Sequence, residues 1–122
     1  MDADELLRRY AAGERDFTGA NLTGAKLIEA HLVGINLWGA NLTHANLAKA
    51  KLWGANLSGA NLAGANLTRA NLCGVKLNKA NLRQAKLNRI KLYGANFSGA
   101  YYDRNTRFSI GFDPSSQNMQ KV

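Results

Sequence analysis

The chain has 122 residues and 46% hydrophobic content, which suits one small domain and leaves no material for a second core. A formal net charge of +8 excludes mimicry of a polyanion, and no apolar run approaches the roughly 18 residues of a membrane helix. The single cysteine, Cys73, excludes an internal disulfide and has no Cys or His companion at metal-ligand spacing.

Residues 1–14 read as an N-terminal cap. Positions 3 to 12 are expected to form a short helix with Asp2 or Asp4 as its N-cap, Leu6, Leu7 and Tyr10 along one side, and Gly13 as its stop. The same stretch lacks a basic start followed by an apolar segment and a small-residue cleavage site, so a cytoplasmic address is expected.

Residues 15–104 are dominated by a five-residue period. Apolar centres fall at Phe17, at fifteen leucines from Leu22 to Leu92, and at Phe97 and Tyr102. Two residues before each centre, the seventeen sites from Ala20 to Ala100 hold fourteen alanines plus Ile35, Val75 and Ile90. A period of five forms no single face on a helix of 3.6 residues per turn, and on a straight strand it sends successive leucines to opposite sides. A backbone that turns by about 90° after each pentapeptide points every centre at a common axis. Twenty residues then close one square coil, and coils stack as parallel strands about 4.8 Å apart. The expected fold is all-β, a parallel solenoid of a little over four coils, with glycine and asparagine serving the corners.

Residues 105–122 break the pentad and read as a C-terminal cap and tail. Phe108, Ile110 and Phe112 are expected to fold over the last coil, ahead of Pro114 and a polar end. Stable solenoids need such covered ends, because a bare terminal coil presents unpaired backbone and leucine.

The repeated unit, Ala55-Asn56-Leu57-Ser58-Gly59 and again Ala60-Asn61-Leu62-Ala63-Gly64, resembles the pentapeptide-repeat family, and the resemblance runs over about 85 residues without an insertion. It implies a right-handed quadrilateral β-helix, a hand that the spacing alone does not provide. The leader LLRRYAAGERDF and the tail TRFSIGFDPSS look like cyanobacterial members. The resemblance also leaves two uses open for the C-terminal aromatics, a simple lid or an end-to-end homodimer. Acidic members that imitate DNA before topoisomerases are no guide here, since this chain has a pI near 10.0.

Sorting positions by coil separates four faces. One, centred on Leu32, Leu52, Leu72 and Leu92, carries Val33, Trp53, Cys73 and Tyr93 after its centres, Lys51 and Lys91 among the residues before them, and glycine at all four following sites. Its neighbour carries Glu29, Lys49, Arg69 and Arg89 in one column. Formal charge is −2 over residues 1–30 and +10 over 31–122. Val33, Trp53 and Tyr93 with Lys49, Lys51, Arg69, Lys91 and Arg89 are therefore the candidate partner-binding residues, facing an acidic protein or complex, of which a light-harvesting antenna is one example. The bland readings are cross-strand stacking for the apolar column and a solvated surface for the basic one.

No catalytic, cofactor-binding or metal-ligating residue is expected. His31 and His44 belong to opposite faces, and no two carboxylates converge on a cleft. The expected function is a non-catalytic protein-interaction scaffold. The alternative is a regulator that binds a transcription factor or nucleic acid through the basic ladder, although the aromatics do not interleave with the bases as in nucleic-acid modules.

Overall fold

A computed structural model describes residues 1–122. Helix α1 spans Ala3–Ala11. It begins there because Asp2 is extended and its carboxylate accepts the Glu5 N–H at 2.8 Å, which decides the cap in favour of Asp2 over Asp4. It ends as Gly13 takes a φ of 102°, a left-handed value. Leu6 is fully buried, while Ala3, Leu7 and Tyr10 pack half-buried against the top of the core. Arg9 holds the cap in place: its guanidinium pairs with Glu5 and Glu14 and lies 5.0 Å from the centre of the Phe17 ring.

Below the cap, the chain is a right-handed square coil. Fourteen parallel bridges link each residue before a centre to the one twenty positions on, from Asp16 with Asn36 to Asn81 with Tyr101. The hydrogen bonding repeats with the same period. Leu37 N–H donates downward to the Asn56 carbonyl at 2.8 Å, and Asn56 N–H donates upward to the Ile35 carbonyl at 2.9 Å. Within a pentad, Ala40 N–H donates to the Leu37 carbonyl at 3.0 Å and closes the turn, so that extended backbone is limited to about one bridging residue per side.

Asparagine has a different task from the one expected of it. It stands before the centre, not at the corner, and its side chain caps the amide two residues on, as when Asn56 Oδ1 accepts the Ser58 N–H at 3.0 Å. The corners themselves are left-handed at every pentad. Ten are glycine, and seven are forced on other residues with φ of 57° to 63°, among them Lys49, Arg69 and Arg89.

Leu22 through Leu87 are at most 1% exposed, and no polar or charged residue is buried. Full burial of one such leucine contributes on the order of 1.5–3 kcal/mol, so the leucine stack carries the fold.

After Tyr102, one extra residue enters the coil. Strand β1 (Lys86–Leu87) pairs with β3 (Arg107–Phe108) at a separation of 21, and β2 (Tyr101–Tyr102) with β4 (Gln120–Lys121) at 19. The tail therefore builds part of a further coil, with a 3-10 helix over Pro114–Gln117 between its two rungs. Phe108 and Phe112 stack at 4.8 Å, and Phe112 meets Phe97 edge-on at 5.2 Å. Ile110 departs from expectation. It does not fold over the last coil but stands fully exposed, because the turn that brings Phe108 and Phe112 inward leaves it pointing out. Met119, within the stretch read as polar, packs partly against the core in its place.

Candidate partner-binding surface

Val33, Trp53, Cys73 and Tyr93 follow their centres on one face, and their exposure is uneven. Val33 and Cys73 are half-buried, Trp53 is 41% exposed and Tyr93 is 88% exposed. The upper end is drawn into the N-terminal cap. Tyr10 Oη donates to the Val33 carbonyl at 2.6 Å, the Tyr10 and His31 rings lie 6.3 Å apart, and His31 meets Trp53 edge-on at 6.0 Å. The Arg15 guanidinium covers the other side of Tyr10 at 3.6 Å. Val33 is thus partly a cap contact, whereas Trp53 and Tyr93 present free aromatic surface.

The basic column stands on the corners that lead into this face. Lys49, Arg69 and Arg89 line one shallow groove together with Lys86, Thr68 and Asn66. Lys51 and Lys91 follow Lys49 and Arg89 by two residues and lie across the same edge, on the aromatic face. The chain's ion pairs are those of Arg9 with Glu5 and Glu14, so none of these five cations has an acidic partner.

The two acids of residues 31–122 are engaged elsewhere. Burial opposes ionisation of Asp103, but N–H groups of Gln84 and Asn105 and the Thr106 hydroxyl and amide hold its carboxyl below the usual range. Asp113 is likewise lowered, chiefly by the Ser115 hydroxyl and then by the Ser115 amide. Both carboxylates organise the tail.

Sequence reasoning assigned each of these columns to its face but missed the contacts between elements. His31 links the cap to Trp53 across a coil, and the signal would have been a spacing of 22, one coil plus the step from before a centre to after it. Trp38 and Ile28, each 54% exposed, also went unassigned, because their faces carry no apolar column. No three His, Cys, Asp or Glu side chains gather closely enough to hold a metal ion, and no helix is long and apolar enough to cross a membrane.

The family described as pentapeptide repeats (8 copies) matches residues 16–54, 40–78 and 76–101. Among solved structures, the chain is similar to alr5209, a pentapeptide repeat protein from Nostoc PCC 7120, with 36% identity, a TM-score of 0.71, and coverage of 99% of this chain and 96% of that one. It is similar at 35% identity and a TM-score of 0.54 to a pentapeptide repeat protein from the Arabidopsis thaliana thylakoid lumen, covering 70% of this chain and 63% of that one. HetL, involved in heterocyst differentiation regulation in the cyanobacterium Nostoc, is 33% identical with a TM-score of 0.51, over 84% of this chain and 66% of HetL. Among curated proteins, none matches.

Proposed function

The chain belongs to the pentapeptide-repeat family, and from that premise we propose that it is a non-catalytic scaffold whose aromatic and basic edge captures an acidic protein or protein complex. The observation that carries the proposal is the cost of the basic column. Lys49, Arg69 and Arg89 occupy left-handed corners where ten of the chain's pentads use glycine, and like charges recur there at coil spacing without an acid between them. Backbone strain and like-charge repulsion both oppose that arrangement, and an anionic partner relieves the second. Trp53 and Tyr93, beside the column, supply the apolar contact that gives such a partner residence time.

The light-harvesting antenna of cyanobacteria is an acidic assembly of this kind and is the first partner to test. Capture is measured with the wild type, with Trp53→Ala/Tyr93→Ala, and with Arg69→Gln/Arg89→Gln. The aromatic pair should mainly speed dissociation and the arginine pair mainly slow association. Capture unchanged by both pairs would overturn the proposal.

The likeness to HetL, described as involved in heterocyst differentiation regulation, favours one second reading, a regulator that binds a transcription factor or nucleic acid through the same ladder. A duplex DNA probe separates the two: binding whose affinity falls steeply and linearly with the logarithm of salt concentration supports nucleic acid.

A further inference from the structure

Wherever Asn or Asp stands before a centre, its Oδ1 accepts the amide two residues on. On the aromatic face, Asn71 takes the Cys73 N–H in this way at 3.1 Å. Lysine has no acceptor to offer. It stands at 51 and 91 on the same face, and the amides two residues on, those of Trp53 and Tyr93, have no partner in the chain. His31 leaves the Val33 amide open for the same reason, but that rung is taken up by the cap, where Tyr10 holds the Val33 carbonyl.

Each open amide therefore lies two residues from an exposed, unpaired ammonium group. A carboxylate placed where the missing Asn oxygen stands in other repeats accepts from both, and such charge-assisted bonds are among the stronger ones. The face thus carries two carboxylate seats, Lys51 with Trp53 and Lys91 with Tyr93, separated by one rung. That middle rung is neutral and recessed, since Asn71 and Cys73 are half-buried while Trp53 and Tyr93 are exposed. On the other faces, lysines before a centre are single, as at Lys76, or three coils apart, as at Lys26 and Lys86.

Spacing decides what reaches both seats. Two coils separate them by about 9.6 Å along the solenoid axis. Residues i and i+7 of an α-helix rise about 10.5 Å, whereas same-face residues i and i+4 of a strand span about 13 Å. The ladder here is also closed: Leu52 and Gly54 donate to the carbonyls of Asn71 and Cys73, and Leu72 and Gly74 to those of Lys91 and Tyr93, at 2.7 to 3.0 Å. An extended segment laid across it would leave its own main chain short of partners, while a helix pairs its main chain internally. The chain's own helix does not fit, because Asp2 caps it, Glu5 is paired with Arg9, and no two of its acids stand seven apart. We propose that this face grips an acidic helix of another protein, aligned with the solenoid axis. Carboxylates seven residues apart occupy the two seats, and an apolar side chain halfway between them rests on Cys73. This rests on the reading of the face as a partner surface and specifies what it holds.

The test uses the full chain, labelled for amide-resolved NMR, and a blocked, alanine-rich peptide of about 18 residues, long enough to be helical, with two Glu seven apart and a Leu midway. A peptide of the same composition with the Glu four apart in an alternating, strand-forming pattern is the control. The helical peptide should slow hydrogen exchange of the Trp53 and Tyr93 amides at least tenfold and leave that of Cys73, already bonded to Asn71, much less changed. It should bind at least tenfold more tightly than the control. Lys51→Asn/Lys91→Asn installs the residue that closes the turn elsewhere, so it should fold with an unchanged or higher melting temperature and lose the protection. It should also bind more weakly than Lys51→Gln/Lys91→Gln, which removes the same charge but keeps the longer side chain. Trp53 and Tyr93 amides unaffected at saturating peptide would overturn the proposal, as would equal binding by the control, equal binding by the Asn and Gln variants, or displacement of the peptide by an equal concentration of single-stranded DNA. If partner capture responds to Trp53→Ala/Tyr93→Ala and Arg69→Gln/Arg89→Gln but the helical peptide leaves both amides unchanged, the seats fail and the partner surface stands. If the amides are protected and capture ignores both pairs, the seats stand and the broader reading fails.

Discussion

Tyr10 and Val33 are joined by a hydrogen bond of 2.6 Å that crosses from the cap to the first apolar rung, with the tyrosine donating and the Val33 carbonyl accepting. The bond fixes where α1 sits, because the same tyrosine is flanked by Arg15 and His31. Tyr10→Phe keeps the ring and removes the bond, so it should cost about 1 kcal/mol and lower the melting temperature by about 4 °C. Tyr10→Ala, which also gives up the ring contacts, should cost clearly more. Equal melting temperatures for all three proteins would mean that the cap is not coupled to the solenoid.

Leu57 and Ser58 test the inward and outward assignment in the middle of the stack. Leu57 is fully buried, and Ser58 takes the outward position next to it. Leu57→Asp places an unpaired carboxylate inside a core that holds no polar group, a cost of several kcal/mol that a domain of this size cannot absorb. It should abolish folding by circular dichroism. Ser58→Asp should stay within about 0.5 kcal/mol of the wild type. Similar melting of both variants would contradict the burial pattern.

The repeat was legible because one residue in five is compelled to point at the axis: Leu22 to Leu87 could be assigned inward from spacing alone. The tail was less legible, because no periodicity survives the single extra residue between Tyr102 and Phe108, and without register Ile110 and Met119 could not be sorted into outward and inward. For the surface, spacing identified the columns of Lys49, Arg69 and Arg89 and of Trp53 and Tyr93. It could not show that Tyr10 and His31 close the top of the aromatic column, because that contact depends on how α1 docks. The left-handed corners were foreseen for glycine, but spacing gave no sign that Lys and Arg would accept the same backbone.

The tail should be acid-sensitive while the stack is not. Asp103 and Asp113 have carboxyls lowered from the usual range, so each favours the folded tail fully above the unfolded value of about 3.9, and that contribution is lost as pH falls through the lower folded value. Raising the pH from neutrality changes nothing on their account. Below about pH 4, exchange of the Gln84 amide, which donates to Asp103 Oδ1 at 3.1 Å, should accelerate well before that of Asn56 or Asn61 in mid-stack. In Asp103→Ala, the Gln84 amide should exchange rapidly at neutral pH and lose this acid dependence. Simultaneous acceleration across all amides would show that tail and stack unfold as one unit.

Arg69 separates the two costs carried by the basic column. Its φ of 63° is a left-handed value that costs a side-chain-bearing residue about 1 kcal/mol more than glycine. Arg69→Gln removes the charge and keeps the strain, so the melting temperature should be unchanged or slightly higher as repulsion from Lys49 and Arg89 falls. Arg69→Gly removes both, so it should melt above Arg69→Gln by a few degrees. Capture of an acidic partner should behave oppositely. Association should slow in both variants by a similar factor, and in the wild type it should slow as salt rises, because the column acts on encounter at a distance of about one Debye length. An on-rate indifferent to both substitutions and to ionic strength would reduce the column to a solvated edge. A lower melting temperature for Arg69→Gly than for Arg69→Gln would show that the arginine stem packs along the solenoid and offsets its own backbone strain.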